Sequence, residues 1–346
     1  MNCKIEIIPR LLNFKRPAGT SRGIYTTRKV WYVRLTSPDS PERVGIGECA
    51  PLPKLSCDDI PDYEQVLSSI CFGIEQSGGE YNMDEILKYP SIAFGLETAF
   101  RHFEAGTLAF EQTPFSQGKE GITINGLVWM GDYQYMYNQI KDKIENGFRC
   151  IKLKIGAINF EEELELLKYI RRQFSSGDIE LRVDANGAFS TQEALSKLIR
   201  LSELDLHSIE QPIAPGNWEE MARLVEKSPI PIALDEELIG SNEPQQQREL
   251  LETIHPHYII LKPSLHAGRN NWVQQAERLG IGWWATSALE SNIGLNAIAQ
   301  WVSTFNINLP QGLGTGMLFT KNVELPLGIE KDALWYYPDK QFTPQI

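Results

Sequence analysis

Lys152 and Lys154 interrupt an otherwise apolar run, CIKLKIG, at residues 150–156. On a strand, residues two apart face the same way, so both ammonium groups project to one side. Lysine is rarely buried without a partner, so carboxylates are expected nearby. They recur at the ends of later apolar runs: Asp184 after IELRV, Glu210 after HSI, Asp235 after PIAL, with Lys262 following YIIL. Successive steps from Lys154 are 30, 26, 25 and 27 residues. Each is about the length of one strand–helix unit, which would collect these groups at one end of neighbouring strands. Three carboxylates with no Cys or His among them make a hard oxygen set suited to Mg²⁺, with Mn²⁺ expected to substitute. Lysines on either side of such an ion could move a proton beside a metal-held carboxylate substrate, whose α-hydrogen the cation acidifies.

The elements that must position these groups are legible in outline. CKIEIIPRLL, KVWYVRLTS and ERVGIGECA read as a meander of strands, and residues 62–75 and 91–110 have helical spacing of apolar positions. Together they make an α+β unit over residues 1–118. From residue 119 apolar runs alternate with amphipathic segments to about residue 321 in roughly eight units, which predicts an α/β, TIM-type (β/α)7β barrel. INGLVWMG, GWWATSALES and LPQGLGTG are its first, seventh and eighth strands. The tail, 322–346, is expected to pack back on the first unit. Ser190 with Glu193 and Asn217 with Glu220 have the spacing of helix-starting capping boxes.

Composition narrows the class. The 346 residues are 42 % hydrophobic and carry a formal charge of −12. Neither nucleic acid nor an anionic membrane is attracted to such a surface, whereas a small anionic substrate responds to the local field of a site. Five scattered cysteines form no CxxC pair, which fits a reducing compartment. No stretch reaches the length of a membrane helix, and MNCKIEIIPR has no signal-peptide core. A cytoplasmic location is expected. A homo-oligomer stays open.

The ordered set KxK, DAN, EQP, DE and KPS resembles the enolase superfamily, in particular its muconate-lactonising subgroup. TSRGIYTTRKVWYVRL, GIGECAPLPKLS, SALESNIGLNAIAQW and GLGTGMLF make the resemblance to the o-succinylbenzoate synthase group closer and extend it over nearly the whole chain. That resemblance implies an N-terminal capping domain and Mg²⁺ bound by Asp184, Glu210 and Asp235. It also implies Lys154 as the base that takes the α-proton and then protonates the departing hydroxyl, Lys262 stabilising the enediolate from the other face, and Lys152 tuning Lys154. The implied reaction is loss of water from 2-succinyl-6-hydroxy-2,4-cyclohexadiene-1-carboxylate. A loop at Thr20, Ser21 and Arg22 would close over the site.

Bland readings stand beside these. A single strand-end lysine is usually a snorkelling or salt-bridged one, and a single aspartate in a βα loop is commonly a helix cap. Glu236 and Glu237 could compete with Asp235 for the ion. Asn186 faces the same way as Asp184 and is either a neighbour of the metal site or a turn residue. Ser287 either holds the succinyl side of a substrate or caps a helix, with Glu290 beside it. Gly312, Gly314 and Gly316 suggest close backbone approach without a phosphate loop. The five histidines lack metal-binding spacing and read as structural. Strand seven has no base like that of mandelate racemases, and strand eight lacks the acidic pair of dipeptide epimerases. N-acylamino acid racemases share the lysines and ligands and stay open, as does a non-catalytic barrel that merely binds metal.

Overall fold

The computed structural model describes residues 2–20, 23–156, 158–340 and 345–346. It opens with an antiparallel sheet of β1 (Lys4–Thr20), β2 (Gly23–Thr36) and β3 (Val44–Cys49), followed by α1 (Tyr63–Gln76), α2 (Met83–Ile86) and α3 (Pro90–Ala105). α3 lies directly on β3. A Cβ at Gly45 or Gly47 would collide with the Ala99 or Gly95 carbonyl, so these glycines let helix and strand backbones touch. Val33, Leu35, Leu67, Ile92, Leu96 and Phe103 form a core of this unit's own.

After β4 (Ile122–Thr123) come seven parallel strands: β5 (Gly126–Val128), β6 (Cys150–Lys154), β7 (Glu180–Asp184), β8 (Ser208–Glu210), β9 (Ile232–Leu234), β10 (Tyr258–Leu261) and β11 (Gly282–Ala285). They lie side by side in chain order. A helix follows each: α4 (Tyr133–Glu145), α5 (Phe160–Arg171), α6 (Thr191–Ser202), α7 (Trp218–Lys227), α8 (Pro244–Ile254), α9 (Arg269–Leu279) and α10 (Asn292–Val302). The eighth strand is reduced to two bridges, Gln311 beside Ile124 and Gly312 beside Thr286. Backbone bonds from Asn125 N to Gln311 O (2.9 Å) and from Gly312 N to Ala285 O (2.7 Å) close the ring there. This is the (β/α)7β barrel the alternation predicts. Its interior continues into one large apolar core that also takes in Leu12, Phe14 and Tyr32 of the first sheet.

In the tail, β12 (Leu327–Glu330) and β13 (Ala333–Tyr336) pair with each other, β13 takes the edge of β4, and Tyr336 meets Phe115 of the first unit, ring centroids 6.1 Å apart. One local expectation comes out differently. At α6 Ser190 bonds the Glu193 side chain rather than the helix backbone, whereas Asn217 caps α7 by accepting from Glu220 N at 3.2 Å.

The two units are tightly joined. Glu48 of β3 accepts from Ser291 N (2.9 Å), Ser291 Oγ (2.6 Å) and Gly294 N (2.8 Å), so a carboxylate from one unit satisfies the N-terminus of α10 in the other. Arg28, fully buried, donates to the carbonyls of Ala50, Pro51 and Ala288. Among the described residues no helix is long and apolar enough to cross a membrane.

Candidate active site

Parallel pairing sets the level of the charged groups. Lys154 is the register partner of Asp184, and Asp184 that of Glu210, so three adjacent strands end in a charge at the same height. Asp235 and Lys262 each follow the last residue of their strands, β9 and β10. With Lys152 these residues share one cavity of about 530 Å3 between the barrel mouth and the first sheet. None of the six is more than 8 % exposed. Leu52, Leu55, Trp129 and Leu318 give the cavity apolar walls, a form common for small-molecule sites.

Within it Lys152, Lys154 and Lys262 are each paired with a carboxylate. Lys152 Nζ donates to Glu210 at 2.6 Å and lies 3.2 Å from Asp184. Lys154 Nζ donates to Asp184 Oδ2 (2.9 Å) and Asn186 Oδ1 (2.7 Å), and Lys262 is ion-paired to Asp235 Oδ2. Burial alone would lower the pKa values of Lys152 and Lys262. The carboxylates win: Asp184 and Glu210 raise Lys152, and Asp235 with Glu236 raises Lys262. Burial would likewise raise Asp184, but the Lys152 and Lys154 ammoniums hold it well below the usual carboxylate range. Glu210, buried beside Asp184, is pushed up.

The donor set fits a divalent ion. Asp184, Glu210 and Asp235 offer only oxygen, and Asp235 Oδ1 is buried with no hydrogen-bond partner, an acceptor that burial makes costly to leave unsatisfied. Among the described residues the three carboxylates are not already gathered as a metal cage, and Lys152 bridges two of them, Asp184 and Glu210.

The remaining candidates divide. Asn186 lines the cavity with a left-handed backbone (φ 44°) and touches Lys154, so it is more than a turn residue. Ser287 also lines it, but its hydroxyl is spanned between Glu290 (2.6 Å) and Thr315 (2.8 Å). Gly314 lines it with room for a Cβ. The close approach expected of the glycines occurs at Gly312, where a Cβ would run into the Thr286 side chain. A single 3-10 turn, Glu236–Leu238, keeps Glu236 in the cavity wall beside Asn186 and carries Glu237 to Gln211. Ser21 and Arg22, and the side chain of Thr20, lie outside the described residues.

His266, read from the sequence as structural with the other histidines, accepts from Lys262 N through Nδ1 at 3.1 Å. Burial pushes its pKa down to about 3, so the ring is a neutral brace for Lys262. Sequence reasoning passed over Glu48 and Arg28. The signal for Glu48 was a charged residue inside an apolar strand, the same signal that marks Lys152; Arg28, between Thr27 and Lys29, carries no such signal.

Known proteins can now be set beside this geometry. The model for enolase C-terminal domain-like proteins matches residues 135–322, and that for the MenC N-terminal domain matches 21–103. An o-succinylbenzoate synthase from Desulfotalea psychrophila is 43 % identical over 93 % of this chain and 96 % of its own. The chain belongs to the o-succinylbenzoate synthase family of the enolase superfamily. A crystal structure of MenC from the same organism superposes with a TM-score of 0.83 at 37 % identity, covering 97 % of this chain and all of that one. The wider superfamily shares the fold: muconate lactonizing enzyme of Pseudomonas putida aligns with a TM-score of 0.74 at 21 % identity over 96 % and 93 % of the two chains. An N-succinylamino acid racemase from Thermus thermophilus is 34 % identical over 45 % of this chain and 40 % of its own. Enzymes of this superfamily work with a divalent metal on small molecules.

Proposed function

We propose that the chain is a Mg²⁺-dependent carbon–oxygen lyase that dehydrates 2-succinyl-6-hydroxy-2,4-cyclohexadiene-1-carboxylate to 2-succinylbenzoate, a step towards menaquinone. The family supports the reaction. The observation that carries the assignment to residues is the shared level of Lys154, Asp184 and Glu210, with Lys262 and Asp235 on the same cavity.

In this reading Asp184, Glu210 and Asp235 would hold Mg²⁺, whose charge would offset the negative charge that proton loss leaves on the substrate carboxylate. Mn²⁺ has the same taste for oxygen and substitutes. Lys154 Nζ takes the hydrogen of C1. The same ammonium then gives its proton to the C6 hydroxyl, the C6–O bond breaks, and water leaves as the ring becomes aromatic. Lys154 ends as it began. Lys262 faces the anion with a second positive charge, and Lys152 tunes Lys154 through Asp184, the carboxylate the two lysines share. The apolar walls exclude water from the proton transfer.

The test is loss of the substrate's diene absorbance with and without Mg²⁺, in the wild type and in Lys154→Ala. Metal-dependent loss that falls by on the order of a thousandfold in the variant supports both reaction and base. Lysines placed to reach two faces also suit a two-base racemase, and part of the chain resembles one. A silent diene assay together with α-proton exchange of N-succinyl amino acids in heavy water would put that reaction in place of dehydration. Silence in both would leave a metal-binding barrel.

A further inference from the structure

We propose that Glu236 is a positioning residue for Lys154, acting through the side-chain amide of Asn186. The inference rests on the reading of Lys154 as the proton carrier. Its starting point is the run Asp235-Glu236-Glu237, three acids of which only the first ends a strand at the cavity's charged ring. The 3-10 turn that follows carries the other two back over the neighbouring strand ends, and both are buried.

Each glutamate there holds an amide that follows one of the proposed metal ligands. Glu236 Oε1 accepts from Asn186 Nδ2 at 2.9 Å, and Asn186 lies two residues beyond Asp184. Glu237 Oε2 accepts from Gln211 Nε2 at 3.1 Å, and Gln211 follows Glu210. The two amides then do different things. Gln211 Oε1 takes the backbone N–H groups of Asp235 and Glu237, each at 3.2 Å, so that pair braces main chain. Asn186 Oδ1 takes the Lys154 ammonium at 2.7 Å, so its pair braces a side chain that has to move a proton.

Glu236 determines which way round that amide sits. Its Oε1 takes the NH2 end of Asn186, which leaves the amide oxygen for Lys154. The flipped amide would bring an NH2 donor against an ammonium donor, with nothing to accept. The backbone of Asn186 is fixed as well: its N–H donates to Asp184 Oδ1 at 3.0 Å, in a left-handed conformation that Asn tolerates. Lys154 is therefore held between two acceptors on the same neighbouring segment, Asp184 Oδ2 and Asn186 Oδ1. Without the second acceptor its ammonium could swing fully onto the carboxylates, as Lys152 does.

The experiment uses the full chain with saturating Mg²⁺ and three variants: Glu236→Gln, Asn186→Gly and the double. Gln fills the same space but accepts or donates, so it no longer dictates the amide's orientation. Gly keeps the left-handed backbone and deletes the amide. Each single variant is expected to lower kcat about ten- to a hundredfold, with KM and the calorimetric Mg²⁺ affinity changed no more than about threefold. The double variant should be no slower than Asn186→Gly, since one residue acts through the other. Three outcomes overturn the proposal: an unimpaired Glu236→Gln, Mg²⁺ affinity falling in step with kcat, or the two losses multiplying in the double variant. A wild type that does not dehydrate the substrate overturns the reading of Lys154, and this inference with it. A working wild type beside an unimpaired Glu236→Gln overturns this inference alone.

Discussion

Arg182 and Asp184 sit two residues apart on β7, both facing the barrel interior and both about 1 % exposed, yet their surroundings are opposite in kind. At the floor, Arg182 donates to Glu180 (2.7 Å) and to the Pro310 carbonyl (2.9 Å), and its guanidinium lies 4.1 Å over the Trp284 ring. Tyr258 and His207 pack beside that ring. At the mouth, Asp184 belongs to three lysines and three carboxylates around a cavity, with an unpartnered oxygen on Asp235. Burial of charge is common to both. What marks the mouth is several charges of both signs converging on empty space with acceptor capacity to spare; the floor spends its charge on packing.

That contrast can be attacked from its strongest side first. Asp184→Asn removes the carboxylate shared by Lys152 and Lys154, and should weaken calorimetric Mg²⁺ binding and turnover by at least about a hundredfold. A variant that binds Mg²⁺ normally would detach Asp184 from the metal. Arg182→Met should do the reverse, costing about 2 kcal/mol of urea-measured stability because it removes a buried guanidinium from half-buried Glu180, the Pro310 carbonyl and the Trp284 ring, while kcat keeps its wild-type value. A large fall in kcat with stability intact would mean that floor and mouth are one functional unit.

The smallest effect concerns Glu48, a buried carboxylate with no ammonium beside it. Burial pushes its pKa up to about 7, against the opposing pull of the Ser291 hydrogen bonds. A carboxyl raised in the folded state stabilises fully below its unfolded value and loses that contribution as pH rises through 7. The wild type should therefore lose about 1 kcal/mol from this group between pH 6 and pH 8. Glu48→Gln should flatten the urea-stability profile across that window, and an unchanged slope would exclude Glu48 as its source.

The mouth was legible because a strand–helix unit has a nearly fixed length, so charges repeating every 25 to 30 residues had to land at one level. Parallel register did the rest, setting Lys154 beside Asp184 and Asp184 beside Glu210. The strand–helix alternation gave away the barrel for the same reason. What stayed hidden depends on contacts between distant segments. Nothing local tells Glu236 from Asp235 as a ligand until a 3-10 turn carries it towards Asn186. The pairing of the tail with the edge of β4 is a choice of partner that no periodicity encodes. That the Ser287 hydroxyl meets Thr315 is another contact between distant segments that spacing does not report.

The most direct test of the mouth as proton-transfer machinery is a single-turnover reaction of the Mg²⁺-loaded enzyme with substrate carrying deuterium at C1. Slower dehydration of the deuterated substrate in the wild type, with no turnover in Lys154→Ala, is the predicted result. Equal rates for the two substrates, together with a Lys154→Ala variant that still turns over at the wild-type rate, would contradict it.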